Sequence, residues 1–511
     1  MTTTGFTDTP AREFHGSGFP GFSEDVPLDL SGITEGAERA LLARLIDRTF
    51  ADFADTAAAV GYCSHPIRLV GHSQTVDPGT GEILSSFSSS DAPLGVLYRP
   101  CGNRRADVCP ACSRVYARDT FAMIKAGLTG GKTIPDTVGE NPLLFTTLTG
   151  PSFGPVHGPR SRNGQKIGGR CRPRDKPLVC AHGRPVGCMS IHNDHDPRNG
   201  APLCDDCYQW ESAVVWQWWA PELWRRTTTA IRRAIAVRLG LAEHQLRQVA
   251  RVEFAKVAEY QVRGLVHFHA LIRLDGPDGP GSPAPLDGEH LAACVRDAVS
   301  GMIIEAPPVD DHDQTRILAW GTELDVKVVR DGNRTDDPDR PLTPEQVAGY
   351  LAKYATKDAN SIRPVARPPA HLARLESTAR DLGQRAVRTD PASPYRLLRK
   401  WAHMLGFRGH FSTKSRRYSI TLGRLRRARH RYRQLVAQAA RTGEPVDVRQ
   451  IEDQLLADDA ATTLVIGSWH YQGTGWTNPG DEALATAAAA RAREYAAWRA
   501  AQQQTGTERK G

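Results

Sequence analysis

Two apolar-rich runs, Arg251 to Gln261 and Leu265 to Leu274, are separated only by Val262–Arg263–Gly264, and this arrangement constrains the fold more than any other stretch. Each run has the β-branched and aromatic content of a strand, and a three-residue loop joins antiparallel neighbours with glycine where a left-handed backbone is wanted. The register follows. Gln261 opposes Leu265, so Glu259 opposes His267. Side chains two apart in a strand share a face, which puts His267 and His269 on one side and Val266, Phe268 and Ala270 on the other, toward a core. Glu259 joins the histidines' face from the neighbouring strand. One carboxylate and two imidazoles with open positions suit Mg²⁺ or Mn²⁺ that must also hold phosphate oxygens.

A helix carries the next candidate chemistry. Thr343 can cap it, Pro344 fits its first position and Gln346 completes a capping box. In the run that follows, Tyr350, Lys353, Tyr354 and Lys357 stand at i, i+3, i+4 and i+7 and project from one face. Val347, Leu351 and Ala355 form the apolar stripe that fixes the helix on a sheet. A phenol is a weak nucleophile at its free pKa of about 10. Adjacent ammonium groups and a metal-polarised phosphodiester favour its attack.

The polar, Gly/Pro-rich N-terminus has no basic stretch followed by an apolar run, and no segment reaches the roughly 18 apolar residues of a membrane span. A cytoplasmic protein is expected. Its ten cysteines should then be reduced, and close pairs of them point to metal. Cys109 and Cys112 form one Cys-x-x-Cys pair, with Cys101 and Cys63 upstream completing four thiolates. Cys204 and Cys207 form another, with Cys180 and Cys188 as partners and His182, His192 and Cys171 as possible substitutes. Two structural Zn²⁺ sites are expected from these sets. Cys294 stands alone in an apolar stretch and is expected to be merely buried.

Net charge is modest, with 65 Lys and Arg against 57 Asp and Glu, which permits a polyanion partner without requiring one. Its distribution says more. Pro391 to Gly443 holds fourteen Arg or Lys and no acid. Arg416, Arg417, Arg424, Arg426, Arg427 and Arg429 lie there, with Tyr418 among them, and phosphate contact is the expected role.

These motifs resemble those of the HUH endonucleases, and most closely the rolling-circle replication initiators of actinobacterial plasmids and integrative elements. Phe145–Thr146–Thr147–Leu148–Thr149 matches the family's hydrophobic, threonine-bearing strand. His267–Phe268–His269 matches its histidine motif, with Glu259 at the third-ligand position. Tyr350-x-x-Lys353-Tyr354-x-x-Lys357 matches its two-tyrosine motif. The tyrosines follow the histidines, as in replication initiators; in conjugative relaxases they precede them. Gly154 to His157, Leu223 to Thr227 and Gly406 to His410 extend the likeness.

The resemblance implies an α+β fold with a central antiparallel sheet flanked by helices. It implies nicking of one strand at a plasmid double-strand origin, single-stranded or in a hairpin, to leave a 5′-phosphotyrosyl link and a free 3′-OH. Host helicase and polymerase are the implied further partners. The expected organisation is a mobile tail at 1–40, a zinc-binding region at 41–130 and an endonuclease domain at 131–360 with a zinc-binding insertion at about 158–210. A basic DNA-binding region at 361–480 and an Ala-rich tail at 481–511 complete it. A single-strand transposase of similar chemistry, or a non-enzymatic zinc-containing DNA-binding regulator, are the rival readings.

Overall fold

The hairpin forms in the register its loop length dictates. Glu259 opposes His267, Tyr260 opposes Val266, and Gln261 N donates to Leu265 O at 2.9 Å. Gly264 takes φ 82°, and a Cβ there would lie 2.6 Å from Leu375 Cδ1 and 2.8 Å from Leu372 Cδ2. Glycine is required twice over, by the backbone and by the space.

In this computed structural model the described residues are 35–92, 94–162, 165–330, 347–349, 351, 368–443 and 464–508. The chain divides into two units, 119–456 and 1–118 with 457–511. In the first, the hairpin strands Arg251–Tyr260 and Val266–Asp275 lie within a five-stranded sheet. Its order is Leu324–Arg330, Leu143–Leu148, Val266–Asp275, Arg251–Tyr260 and Ser412–Lys414, and every pairing is antiparallel. The fold is therefore mixed helix and antiparallel sheet.

Phe268, Ala270, Ile272 and Leu274 point to one face and are buried against the helix Trp210–Arg238 and its neighbours. Trp224 and Trp320 meet the Phe268 ring edge-on, at 6.1 and 5.5 Å between centroids. Such contacts contribute beyond the area they bury. The tryptophans of this helix thus help build the core. On the opposite face, the far end of the sheet is closed by Ile124, Leu128 and Tyr418, all buried, around an Arg273–Asp275 pair with no exposed side chain. Asn141 Nδ2 donates to Asp275 Oδ1 at 2.7 Å, so the buried carboxylate is well supplied with donors. The end of that face nearest the hairpin loop carries Glu259 and the histidines.

Lys256 sits on the core side, its Nζ 4.2 Å above the Phe268 ring and 3.1 Å from His410 O, to which it donates. Burial pushes its pKa down to about 7. Between that value and the ordinary one the unfolded chain binds more protons than the folded one, so this group's contribution to stability rises with pH. We expect wild-type stability to gain about 2 kcal/mol relative to Lys256→Met between pH 7 and pH 9. Urea melts of both proteins at the two pH values measure it, and parallel curves would show that Lys256 stays charged in the fold with its pKa not depressed.

The other unit has its own sheet, in which Ile67–Val76 pairs with Leu464–Thr474, Ile83–Ser88 and Leu97–Arg99. Its core gathers Phe53, Ala57, Tyr98, Trp476, Ala485 and Ala489. The helix Pro479–Glu508 is not a wholly solvated tail, because Ala485 and Ala489 are buried and Asp481 pairs with Arg44 through two 2.6 Å contacts. Among the described residues no helix is long and apolar enough to cross a membrane.

Candidate metal centre and nucleic-acid interface

Glu259, His267 and His269 bring one ligand atom each to within 4.8 Å of one another. Both imidazoles turn Nε2 toward the same carboxylate oxygen: His267 at 3.2 Å and His269 at 3.6 Å from Glu259 Oε2. The rings are 4.5 Å apart and steeply inclined. The next strand orients His269, since Thr147 opposes it and Thr147 Oγ1 lies 3.1 Å from its Nδ1. The Phe145 ring stacks on it at 5.7 Å. With Nδ1 engaged, the other ring nitrogen, Nε2, faces the cluster, which is how metal-binding imidazoles are held. Burial lowers the His269 pKa, only partly offset by its bond to Glu259, and so favours the neutral ring a metal needs.

Gln217, on the long helix, was not singled out by sequence and holds the hairpin in place. Its buried amide donates to Gly264 O at 2.9 Å and Leu405 O at 3.0 Å, and its Oε1 accepts from Val266 N at 2.7 Å. A polar residue among tryptophans at 214–219 was the signal for it.

The nucleophile candidates Tyr350, Lys353, Tyr354 and Lys357 lie outside the described residues. Beside them, Val347, Ala348 and Leu351 are helical and buried.

Three further groups of cysteine and histidine can hold a metal. Cys63, Cys101, Cys109 and Cys112 converge, with Cys109 Sγ 3.7 Å from Cys63 Sγ and Cys101 N donating to Cys63 Sγ. Hydrogen bonds from Cys112 and Cys63 hold the Cys109 thiol far below its ordinary range. Cys180, Cys204 and Cys207 converge with His182, whose Nδ1 is 3.3 Å from Cys207 Sγ. Cys188, expected in that set, lies elsewhere, beside Cys171, His192 and His157. Its backbone pairs with Arg172, next to Cys171, which draws it away from Cys204. His157 had not been considered as a ligand. Its one signal was a histidine closing the Gly154–Pro155–Val156–His157 motif just before a cysteine-rich stretch.

In the basic segment, Leu422–Thr442 is a helix capped by Thr421 Oγ1, which accepts from Arg424 N. Arg429 is paired within the protein, through two contacts of 2.7 and 2.6 Å to Asp119, with its side chain still partly exposed. Arg424, Arg426 and Arg427 follow the same helix. Arg416 and Arg417 are exposed and line a cavity of about 270 Å³ with Arg232, Arg247 and Arg251. Five arginines thus line one opening together with Glu253, a basic set drawn from three separated stretches of chain and so invisible to a search for charge runs. Replacing Arg416 and Arg417 with Ala should reduce the salt slope of duplex binding by about two, since each phosphate contact contributes roughly 0.9. An unchanged slope in titrations between 50 and 200 mM salt would remove this pocket from the interface.

Fold and site together define a mixed helix and sheet protein with a carboxylate–imidazole cluster, three cysteine-containing clusters and an arginine-lined cavity. Residues 49–490 match the family model described as replication initiator protein, pSAM2. The chain is also 40% identical over 449 residues to a replication initiator protein of Streptomyces ambofaciens, an alignment spanning 85% of this chain and 89% of that one. The chain belongs to this family of replication initiators. No solved structure gives a significant match.

Proposed function

We propose that this initiator is a HUH-type endonuclease that nicks one strand of a plasmid origin to start rolling-circle replication. The observation that carries the reading is the convergence of Glu259 with both Nε2 atoms of His267 and His269 on one sheet face. The donor set fits a divalent cation such as Mg²⁺ or Mn²⁺: three ligands leave positions for phosphate oxygens. When bound, such an ion would supply positive charge to polarise the scissile phosphodiester.

The chain's own groups do the rest. Thr147 and Phe145 fix the His269 ring, and the arginines around the cavity hold DNA backbone. Tyr350 or Tyr354 supplies the phenolate oxygen, which bonds to phosphorus as the bond to the 3′ oxygen breaks. The departing oxygen takes a proton and becomes the 3′-OH that a host polymerase extends, while the 5′ end stays on the tyrosine. Lys353 and Lys357, at helical spacing from the tyrosines in the sequence, are the groups that would offset the developing negative charge. Cys63, Cys101, Cys109 and Cys112, and Cys180, His182, Cys204 and Cys207, are two structural zinc sites on this reading, as their thiolate-rich donor sets suit that ion.

The test is direct. Protein incubated with supercoiled origin plasmid and Mn²⁺ should yield nicked circles carrying a covalent protein–DNA adduct. Origin binding with neither nick nor adduct would favour a non-enzymatic initiator.

A further inference from the structure

We propose that His157, Cys171, Cys188 and His192 form a third zinc site, and that this site braces the loop joining the two metal-binding strands. The bracing role rests on reading Glu259, His267 and His269 as the divalent centre; the zinc site does not. Their four ligand atoms lie within 4.8 Å of one another. His192 Nε2 is 3.3 Å from His157 Nδ1 and 3.4 Å from Cys188 Sγ. Two imidazoles and two thiols are a complete tetrahedral donor set for Zn²⁺. The groups around it are those a metal site uses. Asp196 Oδ2 sits 2.7 Å from His192 Nδ1, fixing that ring with Nε2 toward the cluster. Gly158 N donates to Cys171 Sγ at 3.4 Å.

The segment has little else to fold around. Leu178, Val179, Met189 and Ile191 are each at least half exposed. A stretch that buries so little apolar surface does not recover its conformational entropy from a core, and metal binding can supply that free energy instead.

The path to the hairpin is continuous. Backbone bonds tie His157 to Ala201 and Gly200, from His157 N to Ala201 O at 2.8 Å and from Gly200 N to His157 O at 2.9 Å. Gly200 has φ 83° and lies so close to the loop that a Cβ would sit 2.4 Å from Val262 O. Arg263, in the same loop, donates to Gly150 O at 2.8 Å and Pro151 O at 3.0 Å. That loop sets the register pairing Glu259 with His267.

Elemental analysis of the freshly purified full chain should find three zinc atoms, one for each of the three cysteine-containing groups. Wild-type protein with two would overturn the third site without any variant having to fold. Cys171→Ser with Cys188→Ser should hold one zinc fewer, while His157→Cys, which preserves a tetrahedral set, should keep three. Mn²⁺ binding to the zinc-loaded proteins tests the bracing. Affinity should fall about tenfold in the double serine variant, as for loss of an outer-shell support. Gly200→Val should weaken Mn²⁺ comparably while retaining all its zinc. Loss of zinc with unchanged Mn²⁺ affinity would overturn the bracing role. Three zinc atoms in a protein that forms no DNA adduct would instead count against the nicking function alone.

Discussion

Replacing both His267 and His269 with Ala is expected to remove divalent-dependent nicking, by a factor on the order of 10³ or more, while duplex origin affinity changes little. Loss of charge stabilisation worth several kcal/mol converts to a factor of that size, since each 1.4 kcal/mol is about tenfold. Binding should survive because affinity for DNA comes mainly from cations that neutralise phosphates, and the arginine-lined cavity belongs to other elements. The fold should survive because the sheet's core is on the opposite face, under Phe268 and the tryptophans. Nicking of supercoiled plasmid in Mn²⁺, beside filter binding of the same origin fragment, separates the two effects. Equal losses in both assays would mean that the histidines hold the fold or the DNA, and are not reserved for chemistry.

How legible this centre was depended on the range of the interaction. The hairpin is local: loop length and a left-handed glycine fix its register, so Glu259 could be placed opposite His267 from sequence. Gln217 and Thr147 support it from elements 49 and 122 residues away, and no periodicity announces such contacts. The cysteine sets show the same limit. Cys109 immediately precedes the helix Pro110–Thr129 and Cys112 lies in its first turn, so the two are close in sequence and in space. Cys188 is only 16 residues from Cys204 along the chain, yet pairing between Arg172 and Cys188 sends it to a different group. In the basic segment, charge counting could not show that Arg429 pairs with Asp119, 310 residues away. Arg232, Arg247 and Arg251 gather beside Arg416 and Arg417 although none lies in a charge run.

Replacing both Tyr350 and Tyr354 with Phe should eliminate the covalent DNA adduct altogether, leaving fold and origin binding intact. Residues four apart on a helix have Cβ atoms about 5–6 Å apart on one face, so the sequence spacing of the two tyrosines, on the proposed mechanism, would let either phenol serve one phosphate. Phe keeps the ring and removes only the oxygen, and buried Val347 and Leu351 next to the tyrosines keep the apolar side of the helix unchanged. The single variants carry the finer information. If the two phenols alternate, each single variant still makes one adduct but fails at the second strand transfer that closes the displaced circle. That transfer needs a free tyrosine beside the one already bonded to DNA. If one tyrosine only packs, its Phe variant should close circles at the wild-type rate and the other should form no adduct. Peptide mapping of the adduct in each single variant, with a circle-closure assay alongside, distinguishes these outcomes. An adduct that persists in the double variant would move the nucleophile to another residue, and the metal centre would then have to be approached from a different element of the fold.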